Sequence, residues 1–382
     1  GMKFKDITRQ EAIKERLRRA VSENRVSHAQ LFFGPEGSGK LAMALAYAQY
    51  INCTSRSEDD SCGECSSCIK YNKIIHPDLH FILPIAKTKE SGDKPQSRLF
   101  INQWRSIVQE RKAVFGLMDW YQHIGLENKQ GIINTEDCNE IIRTLSYKSY
   151  ESEYKVMVIW MVERLFHAAA PKLLKILEEP PDKTLFILIS EQPDEILATI
   201  RSRTQMVKFN RRNDTEIVEA LITHTQCTAE EAAKIRYLAD GNLNTAVRIF
   251  ETGETDQDNF EMFRSWMRLC FRHNIREIVK MSSDFTALGR EKQKNLMAYA
   301  LKIIHYCTQF RAGNVNLVKA EGEELKFVKD FSPFIHQKNA VQLYKEFNNA
   351  LYHIERNGSA SIVFVDLSLQ SMKWFLIKPD QK

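Results

Sequence analysis

Along the N-terminal half of the chain, stretches with one apolar face per helical turn alternate with short, uninterrupted apolar runs. Residues 10–24 carry the helical rhythm, 29–33 form a compact apolar run, a glycine-rich turn follows, and 40–51 return to a helix. That strand, loop and helix order is the order of a nucleotide-binding unit. Two further runs, 155–162 and 184–190, are rich in Val and Ile and bounded by polar residues or proline, as buried parallel strands are. Between them, 165–179 keeps an apolar face and stops at Pro180 and Pro181, so this stretch predicts a strand, helix and strand crossover. A short helix over 194–203 and a strand over 205–209 close the pattern, which is that of an α/β domain with a parallel sheet and flanking helices.

One polar segment interrupts it. Residues 87–99 (KTKESGDKPQSRL) contain Gly and Pro and read as a surface loop opening an insertion over 86–130. The stretch 100–124 behind it sets Trp104 and Trp120 at helical spacing, for packing on the parent domain or for a partner contact. Beyond Phe209 the pattern is wholly helical, with Asp214 or Thr215 as a cap and Gly241 separating one helix from the next at 243–250. The acidic stretch 251–258 (ETGETDQD) predicts a linker, and 260–382 a third domain of long helices. The expected division is 1–209, with the insertion inside it, then a small helical domain over 210–252, then an all-helical domain over 258–382.

A length of 382 residues suits several cores, and 43% apolar with 27% charged residues excludes wholesale disorder. No run reaches the roughly 18 apolar residues of a membrane span, so a cytoplasmic protein without a membrane partner is expected. Gly1 ahead of Met2 reads as a scar of tag removal. The net charge of +5 is compatible with a surface that meets nucleic acid but does not demand one.

Candidate chemistry lies in two places. Gly34-Pro35-Glu36-Gly37-Ser38-Gly39-Lys40 follows a strand and opens a helix, which makes Gly34, Gly37, Ser38, Gly39 and Lys40 a phosphate-loop candidate. Inward-turned backbone N–H groups and the helix N-terminus favour an anion there, and Lys40 reaches the outer phosphates. The hydroxyl that should follow the lysine to hold Mg²⁺ is Leu41, and the strand that should end in an acidic pair continues as Trp160-Met161. Loss of both elements predicts weak binding of ATP or ADP and negligible hydrolysis.

The second place is a cysteine cluster. Cys53, Cys62, Cys65 and Cys68, spaced Cys-x8-Cys-x2-Cys-x2-Cys within a module over 52–69, suit a structural Zn²⁺; an iron–sulfur cluster is the rival. His76 and His80 stand close by and read as structural. Cys138, Cys227, Cys270 and Cys307 are single residues in apolar surroundings and predict core positions.

The phosphate loop, the cysteine module behind its helix, His76-Pro77-Asp78, the run Leu173-Leu174-Lys175-Ile176-Leu177-Glu178-Glu179-Pro180-Pro181 and Ser202-Arg203-Thr204 occur in this order in bacterial clamp-loader subunits. Over about 5–82 and 131–250 the chain resembles that AAA+ family; over the third domain the likeness is faint, through Arg356-Asn357-Gly358. The resemblance implies a helical lid after the sheet domain, a helical oligomerisation collar at the end, and partnership with gamma/tau and delta subunits, a sliding clamp and primed DNA. It also implies that Arg203 acts as an arginine finger on ATP held by a neighbouring subunit. Leu41, Trp160, Met161 and Asn244, the last where motor members place a sensing arginine, favour the non-hydrolysing delta-prime branch. Thr204 departs from the usual Cys, and 86–130 is extra. An active AAA+ motor and a zinc-dependent DNA-binding protein are the rival readings.

Overall fold

In a computed structural model of the chain, residues 2–126, 129–252 and 256–380 are described. Gly1 and part of the expected linker, 253–255, lie outside the described residues. The chain divides into two compact units, Gly1–Gln226 with Asp240–Val247 and Cys227–Ala239 with Arg248–Lys382.

The first unit contains α1 (Glu11–Ser22), β1 (Ala29–Phe33), α2 (Lys40–Asn52), α3 (Ser66–Asn72), β2 (Leu79–Ile82), α4 (Ile101–Glu110), α5 (Leu117–His123), α6 (Thr135–Ser146), β3 (Lys155–Trp160), α7 (Ala170–Glu178), β4 (Thr184–Ser190), α8 (Ala198–Arg201), β5 (Gln205–Lys208) and α9 (Asp214–His224). The strands form one parallel sheet in the order β2-β3-β4-β1-β5. β3 and β4 are buried along their whole length. Their side chains alternate between two apolar cores: Val156, Val158, Trp160 and Leu185, Ile187, Ile189 face one, while Met157, Ile159, Phe186 and Leu188 face the other. α2 and the insertion cover the first face; α6 and α7 cover the second. This is the parallel α/β sheet with flanking helices expected from the sequence.

Several boundaries move. The helix expected over 165–179 is confined to Ala170–Glu178, because the chain leaves β3 through Met161 at φ 59° and two 3-10 turns before Pro171 starts the helix. The helix expected over 194–203 is a 3-10 turn at Pro193–Glu195 followed by the four-residue α8. The cap of α9 is Asn213, whose side chain accepts from Glu216 N at 2.8 Å, in place of Asp214 or Thr215. The stretch 100–124 is two helices separated by a turn in which Lys112 and Ala113 have φ of 49° and 62°. The insertion is pinched at its neck by paired backbone hydrogen bonds between Ile85 and Ile132, at 3.0 and 2.9 Å. Three elements not anticipated, α3, β2 and α6, complete the unit.

The second unit is all-helical: α10 (Ala229–Ala239), the end of α11 (Leu243–Thr252), α12 (Asp256–Phe271), α13 (Ile275–Ala287), α14 (Arg290–Arg311), α15 (Gly322–Phe331), α16 (Ala340–Glu355) and α17 (Ala360–Phe375). Its core is aromatic. Trp266 stacks on Phe364 at 4.7 Å and donates its indole N–H to Ser368 Oγ at 2.8 Å, so the one polar atom of the ring is satisfied where it is buried. Cys270 and Cys307 are buried here, and Cys138 in the first unit, as core positions. Among the described residues no helix is long and apolar enough to cross a membrane.

Candidate functional site

The turn from β1 into α2 is set by glycine where a side chain will not fit. Gly37 and Gly39 have φ of 75° and 88°, and a Cβ on Gly37 would lie 2.1 Å from Asn242 Oδ1. The turn preceding α11 braces the loop from outside: Asn242 Nδ2 donates to Glu36 Oε2 at 2.9 Å, and Leu243 N donates to Gly37 O at 3.4 Å. Ser38 Oγ donates to Pro35 O at 2.7 Å. Lys40 is buried, and its ammonium donates to Gly34 O at 2.8 Å and Pro35 O at 2.7 Å, with Ser38 Oγ at 3.4 Å. Burial lowers its pKa, against the opposing charges of Glu191, Glu36 and Glu163.

A cavity of about 560 Å³ opens beside the loop, with Lys40, Leu41, Trp160, Glu191, Arg212 and Asn244 among its lining residues. Leu41 presents an apolar side chain where a hydroxyl would be needed. At the end of β3, Trp160 is packed at a tilt against Trp104 (5.1 Å) and Phe115 (5.4 Å), both from the insertion, so an indole fills the place of the first acid. The next carboxylate along the chain, Glu163, accepts from Ser190 Oγ at 3.1 Å, Glu191 N at 2.8 Å and Gln192 N at 2.9 Å, which uses it to hold the end of β4. Burial pushes the Glu191 carboxyl well above the ordinary carboxylate range. The two positions where metal-side groups are expected thus present apolar side chains, while carboxylates, Glu36 and Glu191 among them, line the cavity as well, and burial favours the protonated form of Glu191.

The structure adds residues that the sequence did not single out. Arg212, just past β5, is buried; its Nη1 donates to Thr8 O at 3.1 Å, and its Nη2 lies 2.9 Å from where a Cβ on Gly39 would be. Gln10 Nε2 donates to Ser38 O at 2.6 Å. Nothing in the spacing of Arg212 or Gln10 marks them, because their neighbours are remote in sequence.

Cys53, Cys62, Cys65 and Cys68 converge, with all four Sγ atoms within 4.8 Å of one another. The Cys62–Cys68 and Cys65–Cys53 sulfurs are 3.9 and 4.0 Å apart. A tetrahedron of thiolates about 2.3 Å from a metal has edges of about 3.8 Å, so the four cysteines fit a single tetrahedral ion. Backbone N–H groups already point at the sulfurs: Cys62 N at Cys53 (3.2 Å), Cys65 N at Cys62 (3.2 Å) and Cys68 N at Cys65 (3.4 Å). Burial alone would raise the Cys65 thiol, but N–H donors from Cys68 and Thr54 outweigh it and bring the group down to about 6. His76 is not part of the cluster: its Nδ1 accepts from Asp78 N at 3.0 Å and its Nε2 pairs with Ser152 Oγ at 2.9 Å, while Asp78 accepts from the backbone of residues 150–152. Among the described residues, the four cysteines are the group suited to a metal, and His80 does not join them.

Arg203 lies past the end of α8. Its Nε donates to Glu178 Oε1 at 2.7 Å and its Nη1 to Thr199 O at 2.9 Å, tying it to the Leu-Glu-Glu-Pro-Pro run. It remains about one-third exposed. Arg201 sits 3.8 Å from Asp194. The phosphate loop, the cysteine cluster and Arg203 are three separate features of the first unit rather than one constellation.

A family model described as "DNA polymerase III, delta subunit" matches residues 9–213. The tau subunit of DNA polymerase III from Bacillus subtilis (strain 168) is 26% identical over 254 residues, 65% of this chain and 37% of that protein. The delta' subunit of the same bacterium is 26% identical over 238 residues, covering 62% of this chain and 58% of the relative. The delta' subunit of Yersinia pestis is 31% identical over 186 residues, covering 48% and 41%. A solved gamma subunit-related protein of DNA polymerase III from Thermotoga maritima aligns over 94% of this chain and 99% of its own, at 14% identity and a TM-score of 0.40. The chain spans little more than a third of the length of the tau subunit it matches.

Proposed function

This chain belongs to the DNA polymerase III delta subunit family, among the clamp-loader and AAA+ relatives, and on that premise we propose that it is a non-hydrolysing subunit of the delta-prime kind. In this reading it joins gamma/tau and delta subunits in an assembly that places a sliding clamp on primed DNA. The observation that carries the reading is the joint replacement of both metal-side elements: Leu41 and Trp160 are buried apolar side chains, and Trp160 is locked between two aromatic rings of the insertion. Hydrolysis needs Mg²⁺ to neutralise developing phosphate charge and a carboxylate to orient water, and the two positions where the motifs place the groups for this carry Leu41 and Trp160. Gly34, Gly37, Ser38, Gly39 and Lys40 then act as a degenerate phosphate loop with at most weak affinity for ATP or ADP.

The remaining parts follow from the same reading. Zn²⁺ held by Cys53, Cys62, Cys65 and Cys68 ties the end of α2 to the start of α3 and supplies folding energy to a segment with a small core. Residues 210–252 serve as the lid and 258–382 as the oligomerisation collar. Arg203, partly exposed at the rim of the first unit, is the residue offered to a neighbour's ATP; an arginine finger contributes about 10³ to 10⁵ in rate. The purified chain, assayed with and without primed DNA, should show no ATPase above background. Steady turnover that follows the chain through a second chromatographic step would favour the motor reading instead.

A further inference from the structure

Between α4 and α5 the insertion turns through residues 111–116, and this turn lines the cavity beside the phosphate loop. Gly116 comes so close that a Cβ there would fall 1.8 Å from Glu36 Oε1 and 3.7 Å from Asn244 Nδ2. Phe115 rests on Trp160, and Ala113 to Phe115 join Lys40 and Leu41 in lining the cavity. From the other flank of the cleft, Lys112 Nζ donates to His224 O at 3.3 Å, at the end of α9. One six-residue turn therefore touches the phosphate loop, the end of β3 and α9.

Its backbone is held in an unfavourable form. Lys112 and Ala113 are consecutive residues with Cβ atoms in the left-handed region, a conformation that persists where surrounding contacts dictate it. Three backbone hydrogen bonds fix it: Lys112 N to Gln109 O at 3.3 Å, Ala113 N to Val108 O at 2.9 Å and Val114 N to Arg111 O at 2.9 Å. Beneath it, the Lys40 ammonium donates to the loop's own carbonyls, Gly34 O and Pro35 O.

We propose that residues 111–116 are an intramolecular strap occupying the metal and outer-phosphate end of the cleft, so that a nucleoside di- or triphosphate enters only when the strap lifts from Glu36 and Trp160. The inference rests on the reading of Gly34 to Lys40 as a degenerate phosphate site and assigns that site its regulation. The indole that replaced the acid is the seat of the strap, which makes loss of hydrolysis and closure of the cleft one structural arrangement. A ligand that competes with a folded segment binds with an affinity reduced by the fraction of molecules in which that segment is open.

The test uses the full chain with methylanthraniloyl-ADP as the fluorescent probe and hydrogen exchange of the amides of 111–116. Phe115→Ala removes the ring that rests on the Trp160 seat, Lys112→Ala removes only the tether to α9, and a third variant joins residues 86 and 131 by a short Gly-Ser link in place of the insertion. The strap predicts binding at least about tenfold tighter in Phe115→Ala than in the unmodified chain, a smaller gain in Lys112→Ala, and loss of the gain when Lys40→Ala is added. It predicts that nucleotide at saturation speeds exchange in 111–116. Binding by the unmodified chain with exchange in 111–116 unchanged would overturn it, as would variants that keep β3 and β4 protected yet bind no better than the unmodified chain. Hydrolysis by the unmodified chain bears on the non-motor reading; binding beneath an undisturbed strap bears on the strap alone.

Discussion

His224 and Lys40 both line the cleft, and burial lowers the pKa of each. Burial, with Lys112 as a like-charged neighbour, holds the His224 imidazole down at about 4, against a hydrogen bond involving Arg111 that favours the proton. The unfolded imidazole takes its proton near 6.5, so the folded state has its full advantage above that pH and loses it as pH falls toward 4. Between pH 7 and pH 5, denaturant titrations of the full chain should lose about 1–2 kcal/mol that His224→Asn does not lose. At Leu41 the prediction is a negative one: Leu41→Thr restores a hydroxyl but leaves Trp160 in the place of the acid, so ATPase stays at background. Detectable turnover in that single variant would show that the missing carboxylate was not needed. Glu178 gives a third. It pairs with the partly exposed Arg203, so Glu178→Gln, which removes the ion pair and leaves the hydrogen bond to Thr199 O, should change unfolding stability by no more than about 1 kcal/mol. Residue types were legible in the sequence where they are local, as with Leu41 and the four cysteines; the Arg203 pairing and the approach of Gly116 to Glu36 were not, because each joins positions far apart in the chain.

Among elements, the strands that could be read most closely are those buried on both faces. β1 and β4 occupy the expected 29–33 and 184–190 without shift: β4 has an apolar run over 185–189, and β1 is apolar except for Gln30 and directly precedes the glycine-rich turn. β2 is a four-residue edge strand between Pro77 and Pro84 with His80 in its middle, too short for either rhythm to mark it in the sequence. α6 carries local signals in the sequence: Asn134 caps it by accepting from Asp137 N at 2.9 Å, and Glu136 and Asp137 fill its first turn. The cysteine module tests how an element with little core is held. The purified chain should carry a single zinc ion, and Cys62→Ser should lose it, with faster hydrogen exchange over α3 and the end of α2 and unchanged exchange in α14 and α16 of the second unit. Iron with visible absorbance, or full protection of α3 without metal, would contradict a structural zinc.

For the whole molecule, the N-terminal unit carries each candidate chemical feature and the C-terminal unit is a helical body with an aromatic core, a division that matches where the family likeness is strong and where it fades. Under the proposed function, a chain with Leu41 and Trp160 in place of the metal-side groups would contribute to phosphoryl transfer through what it offers a neighbour, and the residue proposed for that is Arg203. Removing a finger of this kind raises the barrier by about 4–7 kcal/mol, far beyond the roughly 0–1 kcal/mol of a surface ion pair, so the two roles of Arg203 are separable by magnitude. The decisive measurement is DNA-stimulated ATPase and clamp loading by complexes assembled with gamma/tau and delta subunits, comparing Arg203→Ala with Arg201→Ala at matched assembly. The account predicts that Arg203→Ala complexes assemble and lose the greater part of both activities while Arg201→Ala complexes keep them; full activity in assembled Arg203→Ala complexes would contradict it.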